Sequence, residues 1–149
     1  GYIDAQHARE AYGVVLNASA SVDSCATSRA RRLIREQRIG RTPRCDGVAP
    51  AWPGFALRLR GDSHGQHWGC GSCGEELCPA GEDWRAVGTI SVEVDLTERF
   101  ARLGMQVRPR SGGEPLRVRD VYCPACASCI HSEVVVPGFA ASIVKLADR

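Results

Sequence analysis

The sequence predicts an α+β chain that is mainly β: a small antiparallel sheet with an extended helical N-terminal arm. Three observations carry this. Segments such as Thr89 to Leu96, TISVEVDL, alternate apolar and polar side chains as half-buried strands do. Residues 1–44 hold eight Arg against four acidic residues and carry the cap signals of short helices. Six of the eight cysteines fall in two clusters, at 70, 73, 78 and at 123, 126, 129. The 149 residues, 44% hydrophobic and 24% charged, suit one ordinary domain and exclude two large ones.

In the arm, Asp4 caps a helix over Ala5 to Tyr12 that stops at Gly13, and Val14 to Leu16 reads as a short strand ending in the polar run Asn17 to Ser21. Asp23 caps a second helix that ends at Gly40. Ala26, Ala30, Leu33, Ile34 and Gln37 share one face of it, and Arg29, Arg31, Arg32, Arg35 and Arg38 cover the others. Those small residues offer little to bury in lipid, and no aromatics interleave for base stacking, so a solvated face or a protein contact is expected. Thr42-Pro43 through Pro50 and Pro53-Gly54 punctuate a linker, which divides residues 1–44 from a second domain over 45–149. Phe55 to Arg60, FALRLR, alternates as its first strand. Leu116 to Tyr122 and Glu133 to Val136 are further strands, and Ser111-Gly112-Gly113 before Glu114-Pro115 is a plain turn.

Cysteine spacing decides the chemistry. Cys70-Gly71-Ser72-Cys73-Gly74 and Cys123-Pro124-Ala125-Cys126 each place two residues between thiols, so that a tight knuckle aims both sulfurs at one ion. Two knuckles complete a four-sulfur zinc site of Cys70, Cys73, Cys123 and Cys126, with Cys78 and Cys129 in reserve as competing ligands. Such a site has no open position, so the zinc is expected to be structural. The 49 residues between Cys73 and Cys123 exceed the spacing of a compact finger and must hold structure of their own. The result is a zinc-ribbon-like sheet. Cys25 and Cys45 stand alone and are expected as small buried apolar side chains. His64 and His67 with Asp62 form a weaker acid-base or metal candidate, outweighed by the reading of a polar loop before a strand.

No window reaches the roughly 18 apolar residues of a spanning helix, and the start lacks the basic and apolar run of a leader, so a cytoplasmic protein is expected. Nineteen basic against 17 acidic residues give +2, too little to favour nucleic acid. Lys145 is the one lysine beside 18 arginines; base composition accounts for such a bias, and buried partner surfaces also favour Arg. Aromatics at 6% are thin for a self-sufficient core.

The run CGSCGEELC from Cys70, then Asp83-Trp84-Arg85, Thr97, and VRDVYCPACASCIHSEVVVPG with His131 and Glu133, resembles the small zinc-binding subunit of the acetone carboxylases and the related acetophenone carboxylases. In the acetone enzymes the cysteine before the Cys-Gly step sits one residue closer to it than Cys70 does to Cys73, which leaves the fourth ligand open between Cys70 and Cys78. Ala8 to Leu16, AREAYGVVL, with Val22-Asp23, Ala26-Thr27 and the Arg-rich helix, resembles the C-terminal tail of hydantoinase B-type subunits, and this favours the acetophenone type. The resemblance implies a structural zinc subunit in a biotin-independent carboxylase complex. Large hydantoinase A- and B-like partners would there use ATP and Mg²⁺ to join acetophenone and bicarbonate into benzoylacetate. The chain itself shows no G-x-x-x-x-G-K-[S/T] loop, no G-x-S-x-G elbow and no biotinyl context at Lys145, so no catalytic residue is assigned. Two other readings stay open: a free-standing zinc-ribbon module for protein or nucleic acid, and a thiol enzyme using Cys78 or Cys129.

Overall fold

A computed structural model describes residues 3–47, 56–62, 65–108, 112 and 114–136. Helix α1, Ala5–Tyr12, begins where the Asp4 carboxylate accepts the His7 N–H at 2.7 Å and ends at Gly13. Helix α2, Ser24–Ile39, begins at Asp23, which accepts from Ala26 N at 2.9 Å, and ends at Gly40. Both helices therefore run between the caps that the sequence marks. The strand expected at Val14 to Leu16 is instead a single bridge, Leu16 to Val22. Asn17 reverses the chain at once, its side-chain oxygen accepting from Ser19 N and Ser21 N, so no second pair can form. Buried Thr27 fastens this turn to α2 by accepting from Val15 N at 3.0 Å.

Two three-stranded antiparallel sheets follow. The first has β1, Leu57–Asp62, β2, Gly65–Cys70, and β3, Glu76–Pro79, in that order. The second has β4, Ile90–Asp95, β5, Arg117–Tyr122, and β6, Cys129–Val135, with helix α3, Leu96–Ala101, after β4. Phe55 lies outside the described residues, as do Ser111 and Gly113 of the expected turn. Strand β4 is shorter than TISVEVDL because the Asp95 carboxylate accepts from Thr97 N and Glu98 N and so starts a helix at Leu96.

The two hairpins repeat one plan at an offset of 53 residues. In each, a strand enters a knuckle and the next strand leaves it, with a register shift just before the first cysteine: Trp68/Gly69 in one, Val121/Tyr122 in the other. Cys70 N donates to Glu75 O and Cys123 N to Ser128 O; Gly74 N donates to Cys70 O and Ala127 N to Cys123 O. The repeat puts Cys78 at the position of His131, paired with Trp68 as His131 pairs with Val121.

The arm packs on the second sheet. Ile39 joins Tyr122 and Ala127 in a buried cluster against Ile90 and Val92, and the Arg38 guanidinium lies 5.5 Å over the Tyr122 ring. The helices and this sheet leave a cleft of about 230 Å³ lined by Ile34, Arg38, Val92, Arg99 and Tyr122 among others. One face of β5 carries a charge ladder, in which Arg119 meets Glu93 of β4 at 2.6 Å and Glu133 of β6 at 3.2 Å. On the other face Asp120, 4% exposed, accepts from Tyr122 OH at 3.0 Å and Ser132 Oγ at 2.7 Å and pairs with Arg99 at 3.3 Å. Burial and the neighbouring Asp120 carboxylate together push the Tyr122 hydroxyl well above its ordinary range.

The Asp120 network ties β5 to β6 and to α3. Asp120→Ala leaves the buried Tyr122 hydroxyl without its acceptor and releases Ser132 and Arg99, and it is expected to destabilise the metal-loaded chain by about 1–3 kcal/mol in chemical denaturation. A loss under about 0.5 kcal/mol, the usual effect of a surface change, would show that the network is not structural.

Candidate metal centre

The ends of the two hairpins meet. Cys70, Cys73, Cys123 and Cys126 bring their sulfurs within 4.8 Å of one another, three of the residues buried and Cys73 half-buried. Cys70 Sγ lies 3.7 Å from Cys126 Sγ, and Cys73 Sγ lies 3.7 Å from Cys123 Sγ. Sulfurs about 2.3 Å from a tetrahedral zinc stand about 3.8 Å apart, so these two pairs already have the edge length such a site needs. Around the cluster pack Leu57, Trp68, Leu77, Ala125 and Ile130, and the centre is thereby shielded by side chains of both sheets.

Local chain geometry explains how the cysteines point inward. The residue after each Cys-x-x-Cys turns with positive φ, Gly74 at 80° and Ala127 at 57°. Glycine suits the first because it adopts this left-handed conformation without strain, and the Arg60 guanidinium crosses the knuckle in van der Waals range of a Cβ there. Alanine at the second accepts a left-handed conformation that costs about 1 kcal/mol, and its methyl is fully buried against Ile39 and Tyr122. Backbone amides turn toward the sulfurs as well, Ser72 N donating to Cys70 Sγ at 3.4 Å.

Without a cation the four thiols cannot all ionise. Burial pushes the Cys73 thiol up to about 12. Cys123 is raised because it hydrogen-bonds to Cys126 and Cys70, and Cys126 is lowered because the Cys123 and Cys70 thiols stabilise its charge, with the Ser128 hydroxyl 3.2 Å away. Negative charge in the cluster is thus favoured on Cys126 over Cys73 and Cys123. Four convergent soft donors with that chemistry fit a thiolate-binding metal such as zinc, which when bound supplies a cross-link between the two hairpins.

The reserve cysteines are placed apart. Cys78 is buried in β3 with its sulfur 4.0 Å from Glu82 O, and Cys129 begins β6 with its thiol 3.3 Å from His131 O. Burial pushes the Cys78 thiol up, and desolvation with the Asp120 charge does the same to Cys129, the opposite of an activated nucleophile. Cys25 and Cys45, expected as buried apolar side chains, are instead exposed, and the Cys25 sulfur accepts from the Arg29 guanidinium at 3.2 Å along α2. Of the weaker histidine group, His64 and the Asp62 side chain lie outside the described residues, while His67 sits within β2 rather than in a loop. His131 stands on β6, 3.5 Å from Glu133 and edge-on to Trp84 at 5.7 Å. The segment 40–47 is the feature the sequence hid: Arg44 N donates to Ala125 O at 2.7 Å inside the second knuckle, although the stretch from Thr42 reads as linker.

Residues 56–145, more than half of the chain, match the family model described as the acetone carboxylase gamma subunit. No curated protein and no solved structure matches the chain.

Cys73→Ser and Cys126→Ser are each expected to lose bound metal and the fold of the sheet junction together, whereas Cys78→Ser and Cys129→Ser keep both, as read by metal content and circular dichroism. Thiols held above neutral pH must lose protons to bind a metal, so loading at pH 7 is expected to acidify a weakly buffered solution, and affinity is expected to fall as pH falls. A Cys73→Ser chain that stays folded with full metal content would exclude this ligand set.

Proposed function

The chain belongs to the acetone carboxylase gamma subunit family, and from this membership we propose that it is the structural, zinc-binding small subunit of a carboxylase complex. The observation that carries the proposal is the merging of two Cys-x-x-Cys knuckles into one four-sulfur cluster within the stretch that matches the family. Cys70, Cys73, Cys123 and Cys126 are the proposed ligands. A closed four-sulfur site activates no water, so its work is to hold two small, aromatic-poor sheets as one rigid body. Catalysis then falls to large hydantoinase A- and B-like subunits, with ATP and Mg²⁺ and without biotin, in the cytoplasm. Among the described residues no helix is long and apolar enough to cross a membrane.

The finer proposal is an acetophenone-type enzyme. It is supported by the N-terminal segment, which lies outside the family match and resembles the tail of a hydantoinase B-type subunit. In the fold this arm presents Arg29 and Arg32 to solvent on α2, beside Leu33 at 57% exposure. A basic face around one apolar side chain suits an acidic surface on a large subunit.

Co-expression with the large subunits tests both levels. Native mass spectrometry is expected to show a hetero-oligomer with one zinc per copy of this chain, active in ATP-dependent carboxylation of acetophenone rather than acetone. The double change Arg29→Glu and Arg32→Glu is expected to weaken association about tenfold or more while leaving metal content unchanged. Isolation of the wild-type chain as a zinc-bearing monomer, with all large subunits present, would instead favour a free zinc-ribbon module.

A further inference from the structure

The segment that follows α2 does more than join two parts of the chain. From Gly40 to Gly47 it crosses the outer side of the second knuckle, tied at one end to α2 and along its length to the knuckle. The ties to α2 are Thr42 Oγ1 donating to Glu36 at 3.2 Å, and the Arg35 guanidinium, which donates to the Asp46 carbonyl and to its carboxylate at 2.7 Å. The ties to the knuckle are the Arg41 guanidinium on Pro124 O at 3.1 Å and Arg44 N on Ala125 O at 2.7 Å, carbonyls of the two residues between Cys123 and Cys126. Arg44 also pairs through its side chain with Glu75, just past the first knuckle, and so spans both. At the end of the segment Gly47 backs directly onto a cysteine: a Cβ on it would lie 3.2 Å from Cys126 Cβ and 3.4 Å from Cys126 Sγ.

Resting on the four-sulfur reading above, we propose that residues 40–47 form a strap that closes the metal centre and sets how fast its metal exchanges, with Arg35 and Gly47 as positioning residues. The strap lies outside the stretch matching the family, so it is an addition made by this chain's arm to the family's knuckles. Two physical consequences follow. Access of water and chelators to the Cys126 sulfur requires the strap to lift, and lifting breaks its ties to the knuckle and frees a knuckle that has lost two carbonyl partners. Outer groups of this kind commonly change metal affinity about 10–100-fold when removed. The Arg35 contacts also join α2 to the strap, so a partner gripping α2 steadies the metal centre.

The test is the rate at which the full chain, loaded with zinc, surrenders it to 4-(2-pyridylazo)resorcinol. Gly47→Val introduces a branched side chain against Cys126 at a positive φ of 66°, and Arg35→Ala releases Asp46 at a distance from the knuckle. Both are expected to speed zinc release about tenfold or more, with Arg102→Ala, which removes an exposed guanidinium paired with Glu98, as a control that matches the wild type. Arg35→Ala leaves every knuckle residue in place, and it decides the matter if Gly47→Val does not fold. Release from folded, zinc-loaded Arg35→Ala within twofold of wild type would overturn the strap. A wild-type chain that binds no zinc at all would instead overturn the four-sulfur reading on which the strap depends.

Discussion

Four thiols within 4.8 Å of one another set the terms for everything around them. As thiolates they repel; as thiols, buried among Leu57, Leu77, Ala125 and Ile130, they form only weak hydrogen bonds where an ordinary domain would place interlocking aliphatic side chains. Val121 and three of the cysteines are the largest fully buried side chains among the described residues. The space at the centre is thus occupied by sulfur, and a cation that draws the four atoms together supplies the cohesion that hydrocarbon provides elsewhere. This accounts for the tolerance of so few aromatics and for the modest size of each sheet.

The equivalence of the two hairpins shows how the centre is built. The same backbone hydrogen bonds, the same left-handed residue and the same register shift recur 53 positions apart, so each half delivers two sulfurs along matching trajectories. What differs is what covers them. Arg60 lies over the first knuckle at Gly74, whereas the arm covers the second, where Ile39 rewards a methyl at Ala127. The knuckles are alike in backbone and individual in their lids.

How much of this could be read from the sequence depends on whether its cause is local. Helix caps at Asp4, Gly13, Asp23 and Gly40 are local signals, and both helices have the expected ends. Cys-x-x-Cys is also local, and alternation marks β4 and β5. By contrast β2, GQHWGC, and β3, ELCP, show no clean alternation; glycines interrupt the first, and they are held as strands by pairing, β2 with β1 and β3 with β2 at the knuckle. Helix α3 was hidden because an apolar alternation runs through Asp95, whose cap is visible only once the backbone turns. The strap was hidden for a further reason: prolines and glycines mark an absence of regular structure, and partners lying 83 positions away, as Pro124 does from Arg41, leave no trace in the intervening residues.

The pairing of Cys73 with Cys123 has a thermodynamic side that belongs to the unfolded chain. These residues are 50 apart, and a metal joining them closes a loop containing β4, α3 and β5. In the chain-entropy account a cross-link over about 50 residues removes disorder from the unfolded ensemble worth about 4 kcal/mol, so long as the link survives unfolding. That quantity grows only with the logarithm of loop length, each doubling adding about 0.6 kcal/mol. The connection from α3 to β5 can therefore gain or lose residues at small entropic cost while the centre stays the same.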